Sequence, residues 1–255
     1  MFVYRRSEPT EFEAVKRLAA DGLSDYSIAS KLGVPRSTVC RWRHLSAPPA
    51  RVRTRIPPNW RPEDGRRYSY LLGVYLGDGN IFSTGPNSSR LCITLDLRYP
   101  AIIEEVATAM RALVSPAVVC RNQRPGAAVL LASSELWPIA FPQHGPGRKH
   151  TRPIQLVDWQ RAITQEHPEA LLRGLIHSDG CRSINRFRTK LPSGRVAEYA
   201  YPRYFFSNLS ADIRAIFCEH CELLGIRWTQ SNPRNISVSH RGSVAVLDAF
   251  VGPKG

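Results

Sequence analysis

The chain predicts an α+β fold in which two pseudo-symmetric α-β-β-α-β-β-α halves follow a small all-α domain. Three observations predict it. Residues 71–79 read LLGVYLGDG and residues 172–180 read LRGLIHSDG, so one apolar, helix-length segment closing on Asp-Gly occurs twice. A matching succession of strand-period and helix-period stretches follows each copy. Residues 9–43 carry a separate pattern of three short amphipathic helices.

In that N-terminal stretch, residues 11–20 place Phe12, Val15, Leu18 and Ala19 at helical spacing. Asp21 and Gly22 break the helix. Ser24 can cap a second one over residues 25–32, with Ile28, Ala29 and Leu32 inward. Gly33 and Val34 make a tight turn, and Pro35 suits the first position of a third helix running to Arg43. Helix, helix, Gly-containing turn, helix is the pattern of a helix-turn-helix domain, here residues 1–45. The segment SIASKLGVPRSTVCRWR resembles the small trihelical modules of bacterial regulators and transposases. Its third helix then offers Arg36, Ser37, Thr38, Arg41 and Arg43 to a DNA groove, while Val39 and Trp42 pack inward. A trihelical protein–protein module is the alternative.

Residues 46–66 contain two Pro-Pro pairs, with Arg51, Arg53 and Arg55 between them. This composition predicts an extended basic linker that either tracks along phosphates or acts as a spacer.

The first half, residues 67–163, opens with the motif helix at 68–78. A strand around Ile81 and Phe82 follows, then another over 90–98. In the latter Leu91, Ile93, Leu95 and Leu97 alternate with Arg90, Thr94 and Arg98, so one face is buried and one polar. A helix over 101–113, strands near 117–122 and 127–132, and a short helix over 134–141 complete the unit. A short helix plus connector within 150–170 leads into the second half, residues 164–255. That half repeats the order: motif helix 169–179, a long hairpin of 184–190 and 196–207, helix 211–224, strands near 227–231 and 235–240, and a closing helix over 243–250. The ends echo as well. HGPGRKH at 144–150 puts Lys149 71 residues after Asp78, and VGPKG at 251–255 puts Lys254 75 residues after Asp179.

Charge narrows the partners. The formal net charge of the 255 residues is +14, which points to a polyanion. Lys occurs only at 16, 31, 149, 190 and 254, so the excess is Arg, the side chain that forks onto phosphates and guanine edges. The opening residues hold no apolar stretch of signal-peptide length, and no run approaches the roughly 20 apolar residues of a membrane span. The six Cys lack a secreted-domain framework. Cys218 and Cys221 form a lone CxxC without a second ligand pair, so they read as structural thiols rather than a zinc centre. A cytoplasmic, nucleoid-associated protein is expected, with no membrane and no obligate protein partner.

The repeated Asp-Gly carries the chemistry. A helix C-terminus bears partial negative charge, so Asp78 and Asp179 sit where an anion is disfavoured, twice over. Gly73 and Gly77 lie four apart on one helix face, matched by Gly174 and Ser178. Small residues at that spacing let two helix backbones come close. The two carboxylates then stand at adjacent tips, and Gly79 and Gly180 can take the left-handed conformation that ends a helix. Oxygen-only ligation of this kind suits magnesium or a similar hard divalent ion such as manganese.

LLGVYLGDG and LRGLIHSDG resemble the two signature motifs of the LAGLIDADG homing endonuclease family. The likeness covers residues 67–255 and includes the element order. It implies a saddle of two four-stranded sheets on double-stranded DNA, and a metal-dependent endonuclease that hydrolyses both strands of a long target. By resemblance Asp78 and Asp179 are the catalytic acids, one per strand, with Gly77 and Ser178 completing the metal site. Lys149 and Lys254 fall where the family often keeps basic residues. DNA contacts are expected from Arg90, Thr94 and Arg98, from Arg121 and Arg124, from Arg186, Arg188 and Lys190, and from Arg227, Thr229, Arg234 and Arg241. The family often has Asp at the sixth motif position, where this chain has Leu76 and His177. His177 reads as a helix-interface histidine, with a catalytic base as the alternative. Both motifs lie in one chain, so a monomer suffices. The alternatives are a transcription regulator that keeps the fold without cleavage, and an RNA maturase.

Overall fold

Phe12, Val15 and Leu18 line the buried side of α1 (Pro9–Ala20) in the computed structural model, which describes residues 9–47, 56–57, 59–85, 88–114 and 118–252. The chain divides into two units, residues 1–55 and 56–255. In the first, α2 (Asp25–Leu32) and α3 (Arg36–Arg43) close over α1. Ile28, Val34, Val39 and Trp42 join the core, and Trp42 meets Phe12 edge-on at 5.6 Å between ring centroids. Ser24 caps α2 by accepting from the Ser27 N–H at 3.2 Å, and Gly33 ends it at φ 66°, a conformation glycine adopts without strain. Pro35 stands one residue earlier than expected, as the residue before α3 rather than its first. Arg43 turns back to Asp25 at 2.7 Å and to the Leu23 carbonyl at 3.2 Å, binding α3 to α2.

The larger unit holds the two halves. The first runs α4 (Gly65–Asp78), β1 (Gly79–Gly85), β2 (Ser88–Asp96), α5 (Pro100–Leu113), β3 (Cys120–Arg124), β4 (Ala127–Ser134) and α6 (Trp137–Ala140). A connecting helix α7 (Asp158–Glu166) follows. The second runs α8 (Pro168–Asp179), β5 (Gly180–Lys190), β6 (Val196–Ser207), α9 (Ala211–Leu223), β7 (Thr229–Asn232), β8 (Asn235–Val238) and α10 (Arg241–Val251). The sheets have the same antiparallel order, β1-β2-β4-β3 and β5-β6-β8-β7. The stretch expected as a linker is not all spacer. Ile56 and Trp60 pack on the core of this unit, Trp60 lying 6.1 Å from Trp159 and 6.5 Å from Tyr68.

Each sheet turns one face to the helices. Residues directly opposite in an antiparallel pair share a face, and the face alternates along a strand. Leu91, Ile93 and Leu95 of β2 pair with Ala132, Leu130 and Ala128 of β4, and all six are buried under the helices. In the second sheet Tyr204 and Phe206 pair with Val238 and Ile236, again all buried. The opposite, open faces carry the other parity. β5 and β6 outrun their sheet: they pair from Gly180 to Lys190, whereas β6 meets β8 only over Tyr204–Ser207. The far part of that hairpin is a two-stranded arm.

One expected detail differs. Gly79 and Gly180 are not left-handed; their φ values are −85° and −108°, because each helix runs straight into a strand. Glycine is needed there for space. A Cβ on Gly79 would stand 2.7 Å from the Cα of Tyr75, and one on Gly180 would stand 2.7 Å from the Cα of Ile176.

Candidate catalytic site and nucleic-acid interface

The motif helices α4 and α8 meet backbone to backbone. A Cβ on Gly73 would stand 2.8 Å from the Leu175 nitrogen, and one on Gly174 would stand 2.9 Å from the Val74 nitrogen. One turn further on, a Cβ on Gly77 would lie 2.5 Å from the Ser178 Cβ and 3.0 Å from Asp179 Oδ2. The small-residue spacing therefore does what its period requires, and it carries the Asp179 carboxylate to the tip of α4. The Ser178 hydroxyl turns inward, donating to the carbonyls of Gly174 and Leu175 at 3.1 and 3.0 Å. Only its backbone carbonyl remains as a candidate metal ligand.

Lys149 arrives at the same tip from the loop after α6. Its Nζ donates to the carbonyls of Tyr75, of Leu76 at 3.0 Å and of Gly77 at 3.1 Å, and lies over the Tyr75 ring at 4.8 Å. The α4 C-terminus thus already attracts a cation, as its dipole dictates. Burial pushes the Lys149 ammonium down to about 8, against the opposing pull of Asp179 and then Asp78. Lys254 lies outside the described residues.

Two clefts flank the helix tips. One, of about 410 Å³, is lined by Asp179 with Gly77, Asn80, Lys149 and Asn208. The other, of about 490 Å³, is lined by Asp78 with Thr94, Asp96, Ser178 and Cys181. Each combines one motif Asp with the strand entered from the partner helix: Asn80 opens β1 beside Asp179, and Cys181 opens β5 beside Asp78.

Asn208 and Asp96 went unseen in the sequence. Asn208 donates its side-chain amide to Asp179 Oδ2 at 2.6 Å and accepts from the Ser210 N–H at 2.7 Å. Asp96 stands at the corresponding corner of the first half and accepts from the Arg98 N–H at 2.9 Å. The signal available was an Asx residue at the close of the second strand in each half, two residues ahead of the N–H it accepts from. The two corners differ in charge. Asn208 is a neutral donor, whereas Asp96 is an acid tied to Arg98 at 2.6 Å.

His177 is buried at the helix interface, as expected. Its Nδ1 is 3.0 Å from the Tyr70 hydroxyl and its Nε2 is 3.0 Å from the Val251 carbonyl. Cys218 and Cys221 are buried, and burial raises both thiols. No His, Cys, Asp and Glu cluster suited to a metal occurs among the described residues.

Strand register sorts the candidate DNA contacts. Arg90 pairs with Ser133, Thr94 with Val129 and Arg124 with Ala127; all lie on the open face of the first sheet. Arg121 pairs with Leu130 and so faces the helices. It lies three residues from Arg124, an odd step that must reverse the face. Arg98 follows β2 and is engaged with Asp96. In the second sheet Thr229 pairs with Ser237 on the open face. Arg186, Arg188 and Lys190 share the parity of Arg182, the partner of buried Tyr204, so they lie on the helix-side face of the arm. The arm outruns the helices, both its faces are exposed, and polar alternation there cannot identify the open one. Its open face carries Asn185, Phe187, Tyr199, Tyr201 and Arg203 instead. Arg227 precedes β7, Arg234 lies in the turn before β8, and Arg241 begins α10; all are exposed and none is on the open face of a strand. In the small unit Arg36, Ser37 and Arg41 are exposed, Thr38 is half-buried, and Arg43 is committed to Asp25.

A homeodomain-like domain model matches residues 5–47. No curated protein matches the chain. Among solved structures, a variant of the homing endonuclease I-DmoI in complex with its target DNA in the presence of magnesium aligns at TM-score 0.52 and 16% identity, over 74% of this chain and 97% of that one. I-DmoI in complex with DNA and manganese aligns at 0.48 and 15%, over 74% and 98%. The LAGLIDADG meganuclease I-AabMI bound to uncleaved DNA aligns at 0.46 and 11%, over 72% and 82%. The first of these establishes the homing endonuclease fold for this chain. No helix among the described residues is long and apolar enough to cross a membrane.

Proposed function

We propose that the chain is a site-specific, divalent-metal-dependent DNA endonuclease that hydrolyses phosphodiesters on both strands of a duplex. One observation carries this reading: Asp78 and Asp179 end two helices in backbone contact, and each lines its own cleft beside an open sheet face. Two like sites about one axis suit the two strands of a duplex.

The donor set fits a hard cation. The Asp78 and Asp179 carboxylates and the Gly77 and Ser178 carbonyls are all oxygen, and the Lys149 ammonium already sits on the carbonyls of α4. Magnesium or manganese held there would polarise a phosphoryl oxygen and lower the pKa of bound water. The chain's own side chains do the rest. Asn208 fixes one oxygen of Asp179. Lys149 places positive charge beside both acids. Arg90, Thr94 and Arg124 on one open face, and Arg203 on the other, meet the duplex. Arg36, Ser37, Thr38 and Arg41 of α3 supply a second contact, and the net charge of +14 makes affinity steeply salt-dependent. One chain carries both sites, so it acts as a monomer.

A plasmid library of random duplex inserts, incubated with the full chain and magnesium, tests this. The expected result is double-strand breaks at a recurring sequence, abolished by EDTA and by the double substitution Asp78→Asn with Asp179→Asn. Tight binding with all DNA left intact in magnesium and in manganese identifies a regulator instead.

A further inference from the structure

Phe187, Tyr199 and Tyr201 form a stacked aromatic platform on the open face of the β5–β6 arm. Ring centroids lie 5.3 Å apart for Phe187–Tyr199, 5.9 Å for Tyr199–Tyr201 and 6.1 Å for Phe187–Tyr201. Phe187 is 45% exposed and Tyr201 49% exposed. They lie on the part of the hairpin beyond the β6–β8 pairing, which begins at Tyr204. A shallow cavity of about 230 Å³ opens beside the rings, lined by Asn185, Phe187, Tyr201, Arg203 and Ser239. Arg203 is held in place there. Its Nη2 donates to Ser237 at 2.8 Å, its guanidinium lies 4.6 Å over the Phe205 ring, and its buried Nε has no hydrogen-bond partner.

We infer that this platform is a thymine-reading site, in which the rings take thymine 5-methyl groups in the major groove. The inference rests on the proposed reading of the chain as a DNA-binding nuclease. Three observations favour DNA over a protein partner. The open face of the arm carries no carboxylate, since its one acid, Glu198, pairs with Arg188 on the other face. The cavity sets the Arg203 guanidinium, fixed by Ser237 and the Phe205 ring, beside the apolar rings, and a thymine edge offers O4 next to its methyl. The face is also continuous with the tip of α8, because Cys181, Ser183, Asn185 and Phe187 succeed one another along one strand. A two-residue alternation with aromatics gives contact area for methyls without demanding a hydrogen bond.

The platform has a position as well as a preference. Seven residues of strand separate Gly180 from Phe187, about 24 Å at strand rise. Duplex DNA rises about 3.4 Å per step along a strand, so the site lies about seven base pairs from the centre of cleavage. β1 ends at Gly85 and carries only Phe82 as an exposed aromatic, so the preference is expected on one flank alone.

Selection from a random duplex library in EDTA, with the full chain, tests the inference. The bound fraction is expected to hold thymine about seven base pairs from its centre, on one side. Wild-type binding to the selected duplex is then compared with the same duplex carrying deoxyuridine at those positions, which removes only the methyls. A loss of about threefold to tenfold per methyl is expected for wild type, and none for Phe187→Ala with Tyr201→Ala. The thymine-to-uracil ratio is taken within each protein, so a fall in folded fraction does not move it. Equal wild-type binding to both duplexes, or a selected site without the flanking thymine, overturns the inference and leaves the nuclease reading intact. Failure of the wild type to select any sequence overturns both.

Discussion

A Cβ on Gly174 would stand 3.0 Å from the Cα of Gly73, so the two motif helices are in direct backbone contact at this pair. Any side chain larger than hydrogen pushes the helices apart and with them both acid-bearing tips. Gly174→Ala is expected to destabilise the larger unit by about 2 kcal/mol or more, because overpacking against backbone outweighs the gain of about 1 kcal/mol in helix propensity. Urea unfolding measures it; an unchanged or raised midpoint contradicts the close contact.

Lys149 is held to the α4 carbonyls with its ammonium pushed down to about 8. Its charged form serves the site, so cleavage is expected to fall as pH rises through about 8. Lys149→Met should cost about tenfold or more in rate and remove that alkaline limb, while Lys149→Arg shifts the limb upward. The sign for stability is separate. The unfolded chain retains the proton up to its ordinary value of 10.5, so the contribution of Lys149 to stability rises between pH 8 and pH 10.5. Identical pH profiles for wild type and Lys149→Met refute the assignment.

Asn208 touches one acid only, donating to Asp179 at 2.6 Å. Loss of an orienting partner of a metal-binding carboxylate typically costs about 10- to 100-fold. Asn208→Ala should therefore slow scission of one strand by about tenfold and leave the other near its wild-type rate. Strand-resolved cleavage kinetics read this directly, and an equal loss on both strands speaks against the assignment.

The two faces of the sheets should differ in their contribution to binding. Arg90 and Arg124 are on the open face, whereas Arg186, Arg188 and Lys190 are on the helix side of the arm. Arg90→Ala with Arg124→Ala should flatten the slope of log affinity against log salt by about 0.9 for each phosphate no longer neutralised. Serine at all three arm positions should change it by far less. Equal slopes for the two variants reverse the assignment of faces.

Much of this was legible in the chain. Apolar periodicity and the Asp-Gly endings located α4 and α8 within a few residues, because a helix that must pack at backbone distance shows its small residues four apart. The element order of both halves followed from strand alternation, as at Leu91, Ile93 and Leu95. What alternation could not supply was the absolute face. Arg186, Arg188 and Lys190 alternate as a polar face should, but only pairing to Tyr204 reveals which face that is. Asn208 was invisible because its partner Asp179 is 29 residues distant and the link runs through a strand corner. Gly79 and Gly180 looked like left-handed caps, yet they are glycines because Tyr75 and Ile176 leave no room for a Cβ.

The central claim is that Asp78 and Asp179 each serve one strand. Strand-resolved cleavage of a recovered target by Asp78→Asn and by Asp179→Asn, each as a single substitution in magnesium, tests it most directly. The account predicts nicked product from both variants, with the nick on opposite strands. Cutting of both strands by either variant, or a nick on the same strand from both, contradicts it.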